Sequence, residues 1–208
     1  MNREALQAPF HVMVHPFNGY WDLKYERSQK TNLILSFIIL FLMIFTNVLS
    51  SQYSGFLVNY NNPAHLNSLL EVVYVAVPVF YWCVANWSLT TLMDGEGKFS
   101  EIFITTCFAL VPVVLINLPW IWLSNFVSLQ ESTFYYFFKN LAVLWAGLLL
   151  FVGTMTVHQF TPLKTAGTLL LTVVAVGFMA FLTLLFFSLI QQIVMFFSTI
   201  YQEMVLRR

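Results

Sequence analysis

Five long apolar stretches occupy most of this chain, and almost all of its charged residues lie in the short connections between them. A stretch of ~20 mostly apolar residues is long enough to cross the ~30 Å hydrocarbon core of a bilayer as a helix. Charged residues make up only 9% of the chain, whereas an ordinary soluble domain is about one quarter charged. The sequence therefore predicts an integral membrane protein.

The five apolar stretches cover residues 33–49, 72–93, 102–123, 134–157 and 166–197. In lipid, only helices and closed barrels satisfy all of their backbone hydrogen bonds. The alternation of apolar and polar residues that barrel strands require is absent from these stretches. The predicted fold is therefore all-α, an integral membrane bundle of five transmembrane helices.

Two features modify these predicted spans. Pro78, Pro112 and Pro119 fall inside them, and each proline removes a backbone donor and tends to kink its helix. The fifth stretch is about 48 Å long at ~1.5 Å per residue, which exceeds the hydrocarbon core. It must tilt, kink or leave the bilayer as an amphipathic tail through Tyr201 and Met204.

The distribution of lysine and arginine predicts the orientation of the bundle. With the N-terminus in the cytoplasm, six basic residues lie inside and three outside, as the positive-inside rule favours. The inner ones are Arg3, Lys24, Arg27, Lys30, Lys98 and Lys164, and the outer ones are Lys139, Arg207 and Arg208. We therefore expect a cytoplasmic amphipathic N-terminal segment over 1–30, a five-helix membrane domain over 31–208, and an external C-terminus.

Charge and motif content argue against several classes of protein. The formal net charge is zero, with nine basic and nine acidic residues, so no nucleic-acid partner is expected. The sequence contains no metalloprotease, phosphate-loop or hydrolase motif, so no enzyme, metal or cofactor is predicted. Cys83 and Cys107 lie in apolar stretches, where cysteines are typically small buried side chains.

The most distinctive connection is Asp94-Gly95-Glu96-Gly97-Lys98, between the second and third spans. Two glycines two residues apart allow the backbone to take positive φ, which predicts a tight reversal. Two carboxylates are too few to establish a cation site. The loop is therefore interpreted as a solvated cytoplasmic turn or as a docking site for a cytoplasmic partner.

The N-terminal segment mixes aromatic and charged residues just before the first span, including Phe17, Trp21 and Asp22. Amphipathic aromatic side chains favour the headgroup region of a membrane, so this segment is expected to position the first helix. A partner-binding motif is the alternative. His11 and His15 are four residues apart, but Pro16 argues against a helical metal-binding pair.

The predicted spans contain uncharged amides rather than ionisable groups, notably Asn86, Asn117 and Gln191. Polar residues at membrane depth mark transport paths in many membrane proteins. Because ion-coupled transporters generally need charged groups as well, hydrogen bonding between helices is the favoured role of these amides. Lining of a path is the alternative role.

The loop 94–99, followed by Ala109-Leu110-Val111-Pro112, resembles the Yip-domain family, named for Ypt/Rab GTPase-interacting proteins. The resemblance covers roughly 28–197 and includes five spans and a cytoplasmic N-terminus. The opening residues 15–22 are similar to the start of bacterial members. Eukaryotic members act in vesicle trafficking through long N-terminal regions that engage GTPases or coat components. Only about 30 residues precede the first span here, which argues against Rab binding.

The resemblance implies a non-enzymatic accessory or scaffold subunit of a membrane complex, associated with an ABC-type transporter or with membrane trafficking. Some bacterial relatives resemble genes encoded beside sugar-type ABC importer permeases. The expected location is the bacterial cytoplasmic membrane, and the expected partners are the lipid bilayer and either a membrane protein or a second copy of the chain. The alternative is a small permease or channel subunit with a path lined by amides and kinked helices.

Overall fold

The computed structural model describes residues 3–59, 61 and 66–206, and these residues contain helices and no β-strand. The helices are α1 (Arg3–Val14), α2 (Pro16–Trp21), α3 (Gln29–Tyr53), α4 (Ser68–Leu92), α5 (Phe99–Ala109), α6 (Val111–Leu123), α7 (Ser132–His158) and α8 (Pro162–Leu206). A single π-helical turn, Asp22–Glu26, joins α2 to α3.

Five helical segments are long and apolar enough to cross a membrane: α3, α4, α5 with α6, α7 and α8. The predicted all-α bundle of five transmembrane helices is therefore confirmed. Each of the five segments begins two to four residues before its predicted span. Two of the residues used to predict orientation, Arg207 and Arg208, lie outside the described residues.

The third span is broken near its middle rather than merely kinked. Ala109 ends α5, and the N–H of Leu110 donates to the carbonyl oxygen of Cys107 over 3.1 Å. Pro112 then occupies the first turn of α6, where the absence of its N–H breaks no helical hydrogen bond. In contrast, Pro78 and Pro119 lie inside α4 and α6, which continue past them.

The broken third span is the centre of the bundle, and it packs against α3, α4 and α7. It is also the most buried of the five spans. α8 lies at the edge of the bundle and packs mainly on α4. The buried residues of α8 are Thr165, Thr168 and Thr172, whose short side chains let α4 approach closely.

These threonines are compatible with an apolar environment because their hydroxyl groups are satisfied within the helix. Each hydroxyl donates to the backbone carbonyl oxygen four residues earlier, over 2.8–3.0 Å. Asn86 on α4 donates its side-chain N–H to the Thr172 hydroxyl over 3.3 Å. The contact between α4 and α8 is therefore a stripe of small polar groups in an otherwise apolar pair of helices.

The N-terminal helices pack into the bundle. Ala8, Val12, Tyr20 and Leu23 belong to the same buried cluster as Phe108 of the third span. These helices lie at the end of the bundle where α3 begins. The α4–α5 loop (93–98) and the α7–α8 loop (159–161) lie at the same end. We call this end the N-terminal face.

Candidate functional site

The two segments that the sequence singles out meet on the N-terminal face through Lys24. Its ammonium group donates to the carbonyl oxygen of Val157 over 2.7 Å and lies 3.6 Å from the Glu96 carboxylate. The Lys24 side chain is only 9% exposed. A second link joins Gln159, whose amide donates to the Tyr25 hydroxyl over 3.4 Å. Lys24 therefore joins the N-terminal segment, the 94–98 loop and the end of α7.

Tyr20 is the most deeply buried side chain of α2, and it anchors the N-terminal segment in the bundle. It is 1% exposed, and its hydroxyl donates to the backbone carbonyl oxygen of Thr105 over 3.4 Å. Burial raises the pKa of the Tyr20 phenol well above its usual range, so the group stays neutral. A Cβ at Gly153 would lie 2.9 Å from the Tyr20 ring. The ring therefore requires a glycine beneath it.

The two glycines of the 94–98 loop pack against the imidazole of His158, the last residue of α7. A Cβ at Gly95 would lie 2.6 Å from Nδ1 of His158, and a Cβ at Gly97 would lie 2.5 Å from Cε1. The Gly97 N–H donates to Nδ1 over 3.3 Å. Each glycine is thus needed because the ring leaves no room for a side chain.

This packing corrects the predicted reason for the glycines. Neither of them has positive φ, and the left-handed residue of the loop is Asp94, with a φ of 56°. Aspartate tolerates this conformation better than most residues because its short polar side chain can hydrogen-bond locally. The reversal therefore depends on Asp94, whereas Gly95 and Gly97 permit the close approach of His158.

Several predicted partner-binding residues present their side chains to the surroundings. Phe17 and Trp21 are about half exposed, at 57% and 48%, and they line an open groove of about 300 Å³ with Gln159. Asp94, Glu96 and Lys98 are exposed in the neighbouring loop. The N-terminal face thus combines an aromatic groove with a charged loop.

Asp22 is half-buried, and its carboxylate lies 3.4 Å from Nδ1 of His11. This contact joins α1 to the π-helical turn. Lys98 lines a second cleft of about 180 Å³, together with Tyr20, Lys24 and Glu101. Within the described residues, no three His, Cys, Asp or Glu side chains are grouped so that they could hold a metal ion.

The three predicted intramembrane amides lie on three different helices. Asn86 is buried on α4 and bonds to α8, Asn117 is half-buried on α6, and Gln191 is exposed on α8. The side-chain oxygens of Asn86 and Asn117 have no hydrogen-bond partner in the described part of the chain. Of these three amides, Asn86 therefore forms the hydrogen bond between helices.

A narrow polar pocket, too small to hold a water molecule, lies between α4, α5 and α7. It is lined by His158, Asn86 and three threonines (Thr105, Thr106 and Thr154). Nδ1 of His158 accepts from Gly97, so Nε2 carries the proton in the neutral ring. Within the described residues, that Nε2 and the Asn86 oxygen are both buried without a partner. One hydrogen-bond donor and one acceptor therefore line the same pocket.

Sequence reasoning missed His158 and Lys24, which organise this face. In the sequence, His158 is an ionisable residue at the end of a predicted span, where it can reach water and indicates no special function. In the sequence, Lys24 is one of several basic residues before the first span, and it indicated only the orientation of the bundle. Their partners lie 61 and 133 residues away in sequence, so no local pattern points to either contact. For the contact between α4 and α8, the sequence did offer a signal, namely the helical spacing of Thr165, Thr168 and Thr172.

Replacing Lys24 by methionine should destabilise the protein more than replacing Glu96 by glutamine. The first change leaves the buried Val157 carbonyl without its charged donor, a loss of about 2 kcal/mol. The second removes an ion pair whose carboxylate is 64% exposed, worth under ~1 kcal/mol. Thermal unfolding in detergent compares the two variants. Equal losses would show that the ion pair, not the hydrogen bond, holds the segment.

A family comparison agrees with this architecture. The chain matches the Yip1 domain model over residues 10–185. The chain belongs to the Yip1 domain family. The match begins within α1, includes all of α2 to α7, and ends within α8. This match confirms the Yip-domain resemblance, which rests on the 94–99 loop and on the five spans of the chain.

Membership of the Yip1 family and five apolar spans together establish a multi-pass membrane protein. The Yip family is a family of non-enzymatic membrane proteins. No match was found among the curated proteins or among the solved structures.

Proposed function

We propose that this Yip1-family protein is a non-enzymatic accessory or scaffold subunit of a membrane complex. Its partner binds the N-terminal face, where the aromatic groove of Phe17 and Trp21 adjoins the charged 94–98 loop. One observation carries the proposal. Lys24 joins these two segments, through its hydrogen bond to Val157 and its contact with Glu96. The N-terminal aromatic segment and the 94–98 loop, which the sequence indicates as two separate candidate binding segments, thus form one surface.

The physical character of this surface suits protein recognition. Trp21 and Tyr25 pack with ring centroids 4.4 Å apart and ring planes tilted by 42°, and both side chains are about half exposed. Aromatic side chains carry much of the binding energy at protein interfaces, particularly when the contacts around them exclude water. Because Tyr20 and Lys24 fix the segment to the bundle, little conformational freedom is lost on binding.

The proposed orientation places the N-terminal face in the cytoplasm of a bacterial cell. Lys24, Lys98 and Lys164 all make contacts at or beside this face, and clustered lysines favour the cytoplasmic side. Lys139 lies within the first third of α7, which begins at the opposite end of the bundle. The partner would then be a membrane protein with a cytoplasmic surface. The resemblance to bacterial members makes an ABC-type transporter subunit the first class to look for.

The decisive test is purification from the native membrane in mild detergent, with mass spectrometry of the proteins that accompany the chain. We expect a transporter subunit or other membrane protein in stoichiometric amount. The Phe17→Ala/Trp21→Ala variant should recover at least about tenfold less partner, because aromatic residues that are hot spots of an interface contribute about 2 kcal/mol or more.

Trp122→Ala/Phe126→Ala is the matched control. Trp122 and Phe126 form a comparable exposed aromatic pair, with centroids 5.2 Å apart, after the third span has crossed to the opposite end. This variant should keep its partner. Recovery of the chain without any partner, or equal loss in both variants, would contradict the proposal.

A second variant tests the charged loop in the same purification. Asp94→Asn/Glu96→Gln removes both carboxylates, and asparagine retains the positive φ at position 94. We expect weaker partner recovery, while the amount of protein inserted in the membrane stays unchanged. Unaltered recovery would restrict the proposed interface to the aromatic groove.

A further inference from the structure

A partly open cleft on the N-terminal face has no role in the proposed function. It holds about 180 Å³ and is bounded by the N-terminal segment, the first turns of α3 and α5, and the end of α7. A cavity of about 10–15 Å³ is enough for one water molecule, so this cleft has room for a group of several non-hydrogen atoms. We call it the lysine cleft, after two of its polar lining residues, which are Lys24, Lys98, Gln29, Glu101, Tyr20 and Thr105.

Lys24 brings an incompletely compensated positive charge to the lysine cleft. Its side chain is 9% exposed, and burial of an ammonium group is costly unless an anion and hydrogen bonds compensate it. Of its three N–H donors, one is used by the Val157 carbonyl oxygen at 2.7 Å. Its other contacts among the described residues are looser, because the exposed Glu96 carboxylate lies 3.6 Å away and the Tyr25 ring centroid 4.9 Å away. Two donors of a buried cation are therefore left for a ligand in the cleft.

Two of the long helices begin beside the lysine cleft. α3 begins at Gln29 and α5 at Phe99, and the Gln29 amide donates to the Ser100 hydroxyl over 2.6 Å. The first N–H groups of a helix lack acceptors within the helix and carry partial positive charge, so anions are stabilised there. Ser28, which precedes α3, makes no side-chain hydrogen bond to these groups. The start of α3 therefore adds to the positive potential of the two lysines.

The charges of the lining residues define the kind of anion that fits. Lys24 and Lys98 are positive and Glu101 is negative, so the lining carries one net positive charge. The Glu101 carboxylate accepts from the backbone N–H of Lys98 over 3.1 Å, which directs it to the start of α5. A phosphodiester has a single negative charge, and its oxygens accept strong hydrogen bonds from ammonium groups. It therefore matches this lining better than a phosphate monoester, which carries about 1.5–2 negative charges at pH 7.

The depth of the lysine cleft favours a lipid as the source of the phosphodiester. α3 has 25 residues, which span about 37 Å at ~1.5 Å per residue, whereas the hydrocarbon core is only ~30 Å thick. The apolar run of this helix starts at Leu33, about one turn after Gln29. The first turn of α3 therefore lies at the level of the headgroups, which contain the lipid phosphates.

We propose that the lysine cleft binds the phosphodiester of an anionic membrane lipid. Lys24 and Lys98 donate to its non-ester oxygens, and the first turn of α3 lies beside the bound charge. The lipid then joins the N-terminal segment to the starts of α3 and α5. Because Phe17 and Trp21 line a different groove, loss of lipid binding and loss of the proposed protein partner are separate results.

Thermal unfolding of the full chain in detergent tests this site. Phosphatidylglycerol is compared with diacylglycerol of the same acyl chains, which lacks the phosphodiester, and with inorganic phosphate at matched ionic strength. At saturating concentration, phosphatidylglycerol should raise the melting temperature by at least about 5 °C, as a ligand does when it binds only the folded chain. Diacylglycerol and inorganic phosphate should each give less than half of this shift.

Variants of two exposed lysines determine whether the lysine cleft is responsible. Lys98→Met removes a charge from the cleft and should reduce the phosphatidylglycerol shift to less than half, whereas Lys98→Arg should retain it. Lys30→Met is the matched control, because Lys30 is also exposed and lies in the first turn of α3 without lining the cleft. Each shift is measured against the same variant without lipid, so a change in intrinsic stability does not affect the comparison.

The other outcomes each overturn the proposal. An equal shift with diacylglycerol would assign the effect to the acyl chains, and an equal shift with inorganic phosphate would indicate a site for the free anion. A full shift in Lys98→Met would place the lipid elsewhere. Equal losses in Lys98→Met and Lys30→Met would show a diffuse attraction between lipid and the N-terminal face. The absence of any shift would mean that the lysine cleft binds no phosphodiester.

Discussion

Replacing Gly153 by valine is expected to displace the N-terminal segment from the bundle. A Cβ at this position would lie 2.3 Å from Cγ2 of Thr105 and 2.9 Å from the Tyr20 ring. Thr105 and Tyr20 are 3% and 1% exposed, so neither has free space into which to move. Overpacking of this kind costs about 3 kcal/mol, and the Tyr20 contact is the more readily broken because it belongs to a terminal segment.

Limited trypsin digestion in detergent should detect the displacement, because Lys24 and Arg27 follow Tyr20 closely. Cleavage in this region should accelerate at least tenfold in Gly153→Val, and the melting temperature should fall. Gly147→Val is the matched control on the same helix, since a Cβ at Gly147 meets nothing within 4 Å. Equal behaviour of the two variants would exclude close packing of Tyr20 on Gly153.

Replacing Gly97 by alanine should have the second largest effect. The new Cβ would lie 2.5 Å from Cε1 of His158 and 2.6 Å from Cγ1 of Val157, so the 94–98 loop must lift away from α7. That movement also breaks the hydrogen bond from the Gly97 N–H to His158 and separates Glu96 from Lys24. We expect a loss of about 2–3 kcal/mol, measured as a lower melting temperature in detergent.

A double variant identifies the imidazole as the cause. His158→Ala removes one of the two side chains that a Cβ at Gly97 would strike, so Gly97→Ala/His158→Ala should lose about 1 kcal/mol less than the sum of the single variants. Gly167→Ala on α8 serves as the control, because a Cβ there also meets nothing within 4 Å. Strictly additive losses would show that His158 is not the obstacle.

The sequence predicted the number of spans because hydrophobic composition alone determines which segments enter a bilayer. Pro112 also indicated where the third span departs from a straight helix, since proline cannot occupy a helix interior without losing a hydrogen bond. In contrast, the break at Leu110 depends on a tight turn between α5 and α6. Proline content alone did not distinguish Pro112 from Pro78, which lies inside a continuous helix.

The arrangement of the candidate site could not be predicted, because it depends on which helices pack together. Glycine is required both for positive φ and for close approach of a neighbouring group, and the sequence 94–98 is compatible with either reason. Deciding between these two reasons requires knowing that His158, 61 residues after Gly97, packs against the loop. The polar stripe of Thr165, Thr168 and Thr172 likewise indicates a helix contact without naming α4 as the partner.

The same distances in sequence have a consequence for biosynthesis. Tyr20 needs Thr105, which follows it by 85 residues, and Lys24 needs Val157, which follows it by 133 residues. At about 5–20 residues per second, the ribosome needs on the order of ten seconds to supply these partners after it has made the N-terminal segment. The N-terminal segment is synthesised before the spans that hold it, and it therefore reaches its native position only after the fourth span has been made.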